Sequence, residues 1–398
     1  MLNRRDVLRA FGLTAAAGSL PSLAFSDAEA DSRFVLVVLR GAVDGLALAA
    51  PYGDSHYHDI RGELAVADPG QPGGLLELDG LFGLHPSLPG LYKSYRQGAA
   101  LILHAVASPY RERSHFDGQD VLENGASRVG ALRDGWLNRA LAPISSPATP
   151  AIAMAQNTPL VLRGDNPVTS WAPSRLPDAE QSTLRRLQTL YADDEFFATR
   201  LEQALRSQDI AKGMDDTGDA GPRGNEVRLF VDLMAAAARF LTAADGPNIA
   251  VVELGGWDTH ANQGASTGSL ANRFAALDQG LDELREGLGE AWENTAVAVV
   301  TEFGRTVRVN GTRGTDHGTG TAAIVLGGAV NGGRVIADWP GLADKDLFAG
   351  RDLQPTMDIR SVFKGLLIEH LQLSPSYVER NVFPDSATAA ALENLVKT

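Results

Sequence analysis

The tightest constraint on the fold is a set of short apolar runs with almost no polar residue inside them and clusters of polar residues at their ends. Within residues 249–328 these are Ile249–Val252, Thr295–Val300 and Ala322–Leu326, and earlier in the chain Phe34–Leu39 and Ala100–Val106 are of the same kind. A strand with one face in water alternates between apolar and polar side chains. These runs do not, so they read as parallel strands buried on both faces. Helical patterns lie between and after them, at His85–Gln97, 178–210, Asn225–Ala243, Ser269–Leu288 and Met357–Leu371. In Ser269–Leu288 the residues Phe274, Leu277, Leu281, Leu284 and Leu288 fall on one face. Alternation of this type predicts a three-layer α/β/α sandwich around a mostly parallel central sheet. Short strands are also expected at Ala151–Met154 and Leu160–Leu162, a hairpin or lid at 62–83, and a flexible loop or insert near 212–226. A chain of 398 residues is long enough for residues 31–398 to form a single large domain.

Ligands of an open α/β sheet bind beyond the carboxyl ends of its strands, and several chemically capable residues sit at run ends. Asp44 follows the first run, Asp258 and His260 follow Ile249–Val252, and Glu302 and Arg305 follow Thr295–Val300. Asp316 and His317 stand just before Ala322–Leu326. The sequence contains no Cys, which excludes thiolate ligation and leaves His, Asp and Glu as metal ligands. The pattern predicts a divalent-metal site with Asp44, Asp258, His260, Glu302, Asp316 and His317 as ligands for one or two ions of the Zn, Mn, Mg or Ca type. Such ligand atoms must converge to within about 5 Å of a common point or pair of points. The competing reading is a salt-bridged network that only fixes the loops.

The stretch SPYRERSHFDGQD adds a second group. Ser114 precedes a helical pattern with Asp117 three positions on, which resembles a capping box. The same junction sets a hydroxyl beside free N–H groups and the positive end of a helix dipole, so Ser114 is a candidate nucleophile. His115 is a candidate site residue, and Arg113 and Arg305 are candidates to offset developing charge. His104, inside an apolar run, reads as a core histidine, and His370 as a partner of a helix C-terminus.

The net charge of −14 argues against a nucleic-acid or anionic-membrane partner and leaves an anionic substrate open. Residues Met1–Ala30 carry paired Arg4 and Arg5, then a mildly apolar Ala/Gly/Leu run with small-residue exits after Ala24 or Ala30. This is the pattern of a twin-arginine signal peptide. It predicts export by the twin-arginine translocase to the periplasm or beyond, with no membrane span after cleavage.

Taken together, RGAVDGL, RSHFDGQD, GGWDTHANQ, TEFGRT and GTDHGTG resemble the twin-arginine-exported family called domain of unknown function 1501. That family is placed in the alkaline-phosphatase-like superfamily with sulfatases, nucleotide phosphodiesterases and cofactor-independent phosphoglycerate mutases. The resemblance runs from the signal to FPDS at 383–386 and implies that superfamily's metal-hydrolase fold. By position, it implies that Asp44 is a first-strand ligand, that Ser114 lies near the nucleophile, and that Asp258 and His260 are the Asp/His pair of one metal. His317 would complete the first site, or Asp316-His317 would be a displaced Asp-His pair. Glu302-Phe303 stands where the superfamily has Asp-His, so a second ion would lose an imidazole. The Cys/Ser-x-Pro-x-Arg signature of sulfatases is missing, which argues against a formylglycine mechanism. The function implied is an exported metal-dependent hydrolase of phosphate or sulfate esters, acting on a small anionic ester or envelope-derived substrate. The alternative is a non-catalytic exported binding or assembly factor with a degenerate metal site.

Overall fold

A computed structural model describes residues 32–144, 149–173, 181–210 and 222–397. The expected signal peptide and residues 212–221 of the expected loop lie outside the described residues, and Pro222–Thr242 is one continuous helix.

In chain order the strands are β1 (Arg33–Leu39), β2 (Ala49–Ala50), β3 (Leu76–Glu77), β4 (Gly83–Leu84), β5 (Ala100–Ala107) and β6 (Ala151–Ala153). They continue with β7 (Val168–Ser170), β8 (Ile249–Leu254), β9 (Thr295–Thr301), β10 (Thr321–Leu326), β11 (Val335–Ile336) and β12 (Met357–Asp358). Nine of them form one sheet in the order β11-β5-β10-β9-β1-β8-β6-β7, with β12 beside β5. The other three, β2-β4-β3, make a small antiparallel sheet.

Strand β1 lies between β8 and β9, parallel to both, and shows why these runs lack alternation. Val35, Val37 and Leu39 pack into one core with Phe274, Leu277 and Leu281. Phe34, Leu36 and Val38 pack into a second core with Val362, Phe363 and Leu366 of the helix Ile359–Glu369. Each such side chain contributes about 1.5–3 kcal/mol on burial, so both faces of the strand select apolar residues. Helices Pro222–Thr242 and Ser269–Leu288 cover the first face and Ile359–Glu369 the second, which gives the expected α/β/α layering.

One expectation about direction fails. Strand β10 is antiparallel to both neighbours, with Ile324 opposite Val299 of β9 and Ile102 of β5. The unbroken apolar run reported burial on two faces, and burial does not specify strand direction. The reversal matters for the site. It brings the start of β10 to the edge where β8 and β9 end, so residues preceding β10 join residues following its neighbours.

Other differences are local. Leu160–Leu162 is a 3-10 turn after Pro159, not a strand, and the strand of that region is β7, parallel to β6. The helix expected from His85 begins at Pro89, a residue suited to the first turn. The helical region 178–210 is two helices, Gln181–Tyr191 and Glu195–Ile210. Ser114 does precede the helix His115–Asn124, but its side chain makes no capping bond, and Asp117 instead accepts from the Tyr110 hydroxyl at 3.3 Å. His370 is not a dipole partner. It is buried, its Nε2 bonds the Arg33 carbonyl at 2.7 Å, and burial lowers its pKa. Among the described residues no helix is long and apolar enough to cross a membrane.

Candidate metal centre

The loops that leave this one edge of the sheet bring four side chains to a point. After β8 the chain turns through Gly255-Gly256, and the buried Trp257 fixes the turn by donating Nε1–H to the Leu254 carbonyl at 2.9 Å. That turn presents Asp258 and His260. His317 comes from the segment before β10, and His115 opens the helix His115–Asn124. The loop after β1 lies directly against Asp258: Gly41 has φ 118°, and a Cβ there would stand 2.8 Å from the Asp258 amide nitrogen. Only glycine allows both that backbone conformation and that approach.

His115 Nε2 lies 2.9 Å from His317 Nε2, and His260 Nε2 lies 3.1 Å from the same atom. Asp258 Oδ1 is 3.0 Å from His260 Nε2 and 3.2 Å from His317 Nε2, and Asp258 Oδ2 is 3.4 Å from His115 Nε2. Ligand atoms of His115, Asp258 and His317 all fall within 4.8 Å of one another, and those of His260, Asp258 and His317 lie closer still.

The other ring nitrogen of each histidine is engaged. His115 Nδ1 bonds Glu302 Oε1 at 2.8 Å, His260 Nδ1 bonds Asp316 Oδ1 at 3.1 Å, and His317 Nδ1 bonds the Arg113 carbonyl at 2.8 Å. A carbonyl or an ionised carboxylate only accepts, so every Nδ1 is a donor and, in the neutral rings, every Nε2 is a lone pair. Both carboxylates are held ionised. Burial works to raise the Glu302 pKa, but hydrogen bonds from His115, Gly41 and Gln119 outweigh it and hold the group below its usual value. A hydrogen bond from Asn310, ahead of one from His260, lowers that of Asp316. Three lone pairs facing one another are repulsive unless a proton or a metal cation stands among them, and the Glu302 hydrogen bond raises the pKa of His115. Imidazoles oriented through the far nitrogen by carboxylates and a carbonyl, and supplemented by a carboxylate, form a donor set suited to a zinc- or manganese-like ion.

The remaining expected residues are placed as follows. Glu302 and Asp316 bond to imidazole Nδ1 atoms and so stand behind the histidines. Asp44, expected as a ligand, is buried apart from the cluster. Its Oδ1 accepts from the amides of Leu46 and Ala47, and its Oδ2 takes Arg61 and Gln263. With both oxygens spent on a helix cap and a buried ion pair, it is a structural residue here. Arg305, buried, pairs with Asp258 and bonds the Thr315 hydroxyl at 3.1 Å. Burial would raise the Asp258 pKa, and Arg305 overrides it and lowers it. Ser114 is half-buried beside His115, and Arg113 has φ 65°. That conformation is uncommon for a side-chain-bearing residue, and here it accompanies the Arg113 carbonyl's bond to His317.

Sequence reasoning missed Gln263, Arg61, Arg351 and Asp352. Gln263 is buried, donates to Asp44 at 2.7 Å, and accepts from the Thr259 and Thr315 hydroxyls at 2.8 Å each, which ties the Asp258 loop to the His317 loop. It lies in GGWDTHANQ, but as an uncharged residue it offers no ligand signal. Arg351 and Asp352 carry no motif at all.

Fold and side chains together define an α/β protein with a cluster of histidines and an aspartate, of a kind that could hold a metal ion, at the carboxyl rim of a mostly parallel sheet. The chain belongs to the family described as "Protein of unknown function (DUF1501)", whose profile matches residues 94–382 and so includes every residue of the cluster. No curated protein matches it. Solved structures similar to it include the phosphonate monoester hydrolase of Agrobacterium radiobacter, at 14% identity and TM-score 0.38 over 86% of this chain and 74% of that one. Another is Ps i-CgsB, at 11% identity and TM-score 0.41 over 89% and 74%. A third is the human ectonucleotide pyrophosphatase / phosphodiesterase 5, at 10% and 0.32 over 69% and 57%. At these scores the likeness decides nothing about chemistry.

Proposed function

We propose that the protein is an exported metal-dependent hydrolase of phosphate or sulfate esters, with one divalent ion held by His115, His260, His317 and Asp258. The observation that carries the metal is the convergence of three imidazole Nε2 atoms and the Asp258 carboxylate on one point, with every Nδ1 already bonded to an acceptor. A divalent ion there supplies charge stabilisation to a phosphoryl or sulfuryl oxygen and raises the acidity of an attacking hydroxyl or water. Glu302, Asp316 and the Arg113 carbonyl fix the rings. Arg305 keeps Asp258 ionised and pointed into the cluster. Ser114, one residue before His115, offers a hydroxyl at the same rim. The paired Arg4 and Arg5 and the run that follows support export by the twin-arginine route to the periplasm.

Elemental analysis of protein purified after export should find a divalent metal. A screen of aryl phosphate, phosphodiester and sulfate esters should then find turnover that Asp258→Ala and His317→Ala abolish without unfolding the chain. Metal-free protein in which those substitutions change only stability would leave a non-catalytic binding or assembly factor. Cytoplasmic retention on replacing Arg4 and Arg5 by Lys tests the export route.

A further inference from the structure

Beside the cluster lies a cationic pair that the metal chemistry does not use. Asp352 is fully buried, and two guanidinium groups share its carboxylate: Arg113 meets Oδ2 at 2.8 Å, and Arg351 meets Oδ1 at 2.9 Å. Among the described residues Asp352 is the one carboxylate paired with either arginine. Two cations on one anion leave a net positive charge, in a chain whose overall charge is −14. The arginine side chains remain open to solvent, Arg113 at 25% and Arg351 at 45% exposure.

Their place is fixed by His317. The Arg113 carbonyl accepts from His317 Nδ1, and Arg351 Nη2 donates to the His317 carbonyl. The two arginines therefore bracket one of the residues that hold the ion. The Arg113 guanidinium also stands over the Phe348 ring, 5.9 Å from its centroid, a contact that favours a cation. Two forks fixed on a buried carboxylate repel each other, and an oxyanion bridging their exposed edges relieves that repulsion through charge-assisted bonds. Because Asp352 and Phe348 already hold the side chains, little freedom is lost on binding.

We infer that Arg113 and Arg351 form a clamp for a second oxyanion, a carboxylate or phosphate, on the same molecule as the reacting group. The preferred substrate class is then an ester with two anionic groups. The inference rests on the proposed hydrolase reading for the word substrate, and its test reads binding rather than turnover.

The probes are phenyl phosphonate and its 3- and 4-carboxy derivatives, titrated calorimetrically at fixed ionic strength into the metal-loaded, full-length exported protein. The better carboxylated probe should bind roughly tenfold more tightly than phenyl phosphonate, the scale of one added charged hydrogen-bonded contact. Arg351→Gln should bring that ratio close to one, and Arg351→Lys should retain part of it. A purely structural Arg351 would weaken all probes alike and leave the ratio intact, which overturns the clamp. A wild-type ratio of one, or no binding of either carboxylated probe, overturns it as well. Protein that hydrolyses no ester yet shows the ratio and its loss keeps the clamp and sinks the hydrolase. Protein that hydrolyses esters with a ratio of one does the reverse.

Discussion

His115 and His317 face each other through their Nε2 atoms at 2.9 Å while both of their Nδ1 atoms are bonded elsewhere. No pair of neutral imidazoles satisfies that contact. A proton on one ring or a cation between them is required, and the adjacent Asp258 and His260 add two more donors to the same point.

Removal of an ion from this point is expected to destabilise the protein. An ion that binds the folded state alone, present at a hundred times its dissociation constant, adds about 2.7 kcal/mol to stability. Chelator-treated protein should melt at lower temperature and regain its midpoint on adding zinc or manganese. His317→Ala should melt at the chelated value with or without ion. Equal midpoints for treated and untreated wild type would remove the ion from the account of the cluster.

The carboxylates behind the histidines should differ in weight. Glu302 is fully buried and bonds His115, Gly41, Gln119 and Thr301, whereas the Asp316 side chain is 56% exposed. Loss of a partner that orients a ligating histidine typically costs roughly 10- to 100-fold in metal affinity. Glu302→Gln should fall at the upper end of that range and Asp316→Asn at the lower, since water replaces an exposed acceptor more easily. Competition titration with a chromophoric chelator gives both values, and the reverse order would refute the assignment of Glu302 as the stronger positioning group.

What the sequence revealed and what it hid follow from the same physics. Apolar runs without alternation located β1, β5, β8, β9 and β10 because burial on two faces acts on each residue separately. They could not report that β10 is reversed, since direction is set by where the chain crosses and not by composition. The site residues were visible as polar groups at run ends, and Asp258, His260 and His317 do meet. Whether a carboxylate binds an ion or an imidazole depends on which partner reaches it first in space. Asp44 has the right position in the chain, but the partners that claim it, Arg61 and Gln263, are 17 and 219 residues away. Asp352 and Arg351 were invisible because neither ends an apolar run.

The buried pair of Asp44 and Arg61 separates a structural role from a ligand role. Both side chains are almost wholly shielded from water, so Asp44→Ala strands a guanidinium and should cost about 3–5 kcal/mol. The Gln263 amide loses its acceptor too. Denaturant melts should show this loss, while metal content per folded molecule stays at the wild-type value. Loss of metal without loss of stability would return Asp44 to the ligand set.

Stability should fall in acid partly through His104, which takes no part in the cluster. Its ring is fully buried in β5, stacked on Phe82 with centroids 5.0 Å apart. Nε2 bonds the Ala49 carbonyl at 2.9 Å, and Nδ1 accepts from the Ala105 amide at 2.8 Å. The ring is thus a neutral tautomer with both nitrogens matched, and protonating Nδ1 would set a donor against a donor. Burial, the largest influence, lowers the pKa from 6.5 to about 4. Between those values the unfolded chain carries a proton that the folded chain refuses, so stability decreases as pH falls. The loss begins near pH 6.5, amounts to about 3 kcal/mol in total, and levels off below about pH 4. His104→Phe keeps a ring against Phe82 but leaves the Ala49 carbonyl without its donor. It should be less stable than wild type at pH 7 and show a shallower decline between pH 6.5 and 4. Unfolding free energies measured across that interval decide the matter, and parallel curves for the two proteins would show that His104 contributes nothing to the acid sensitivity.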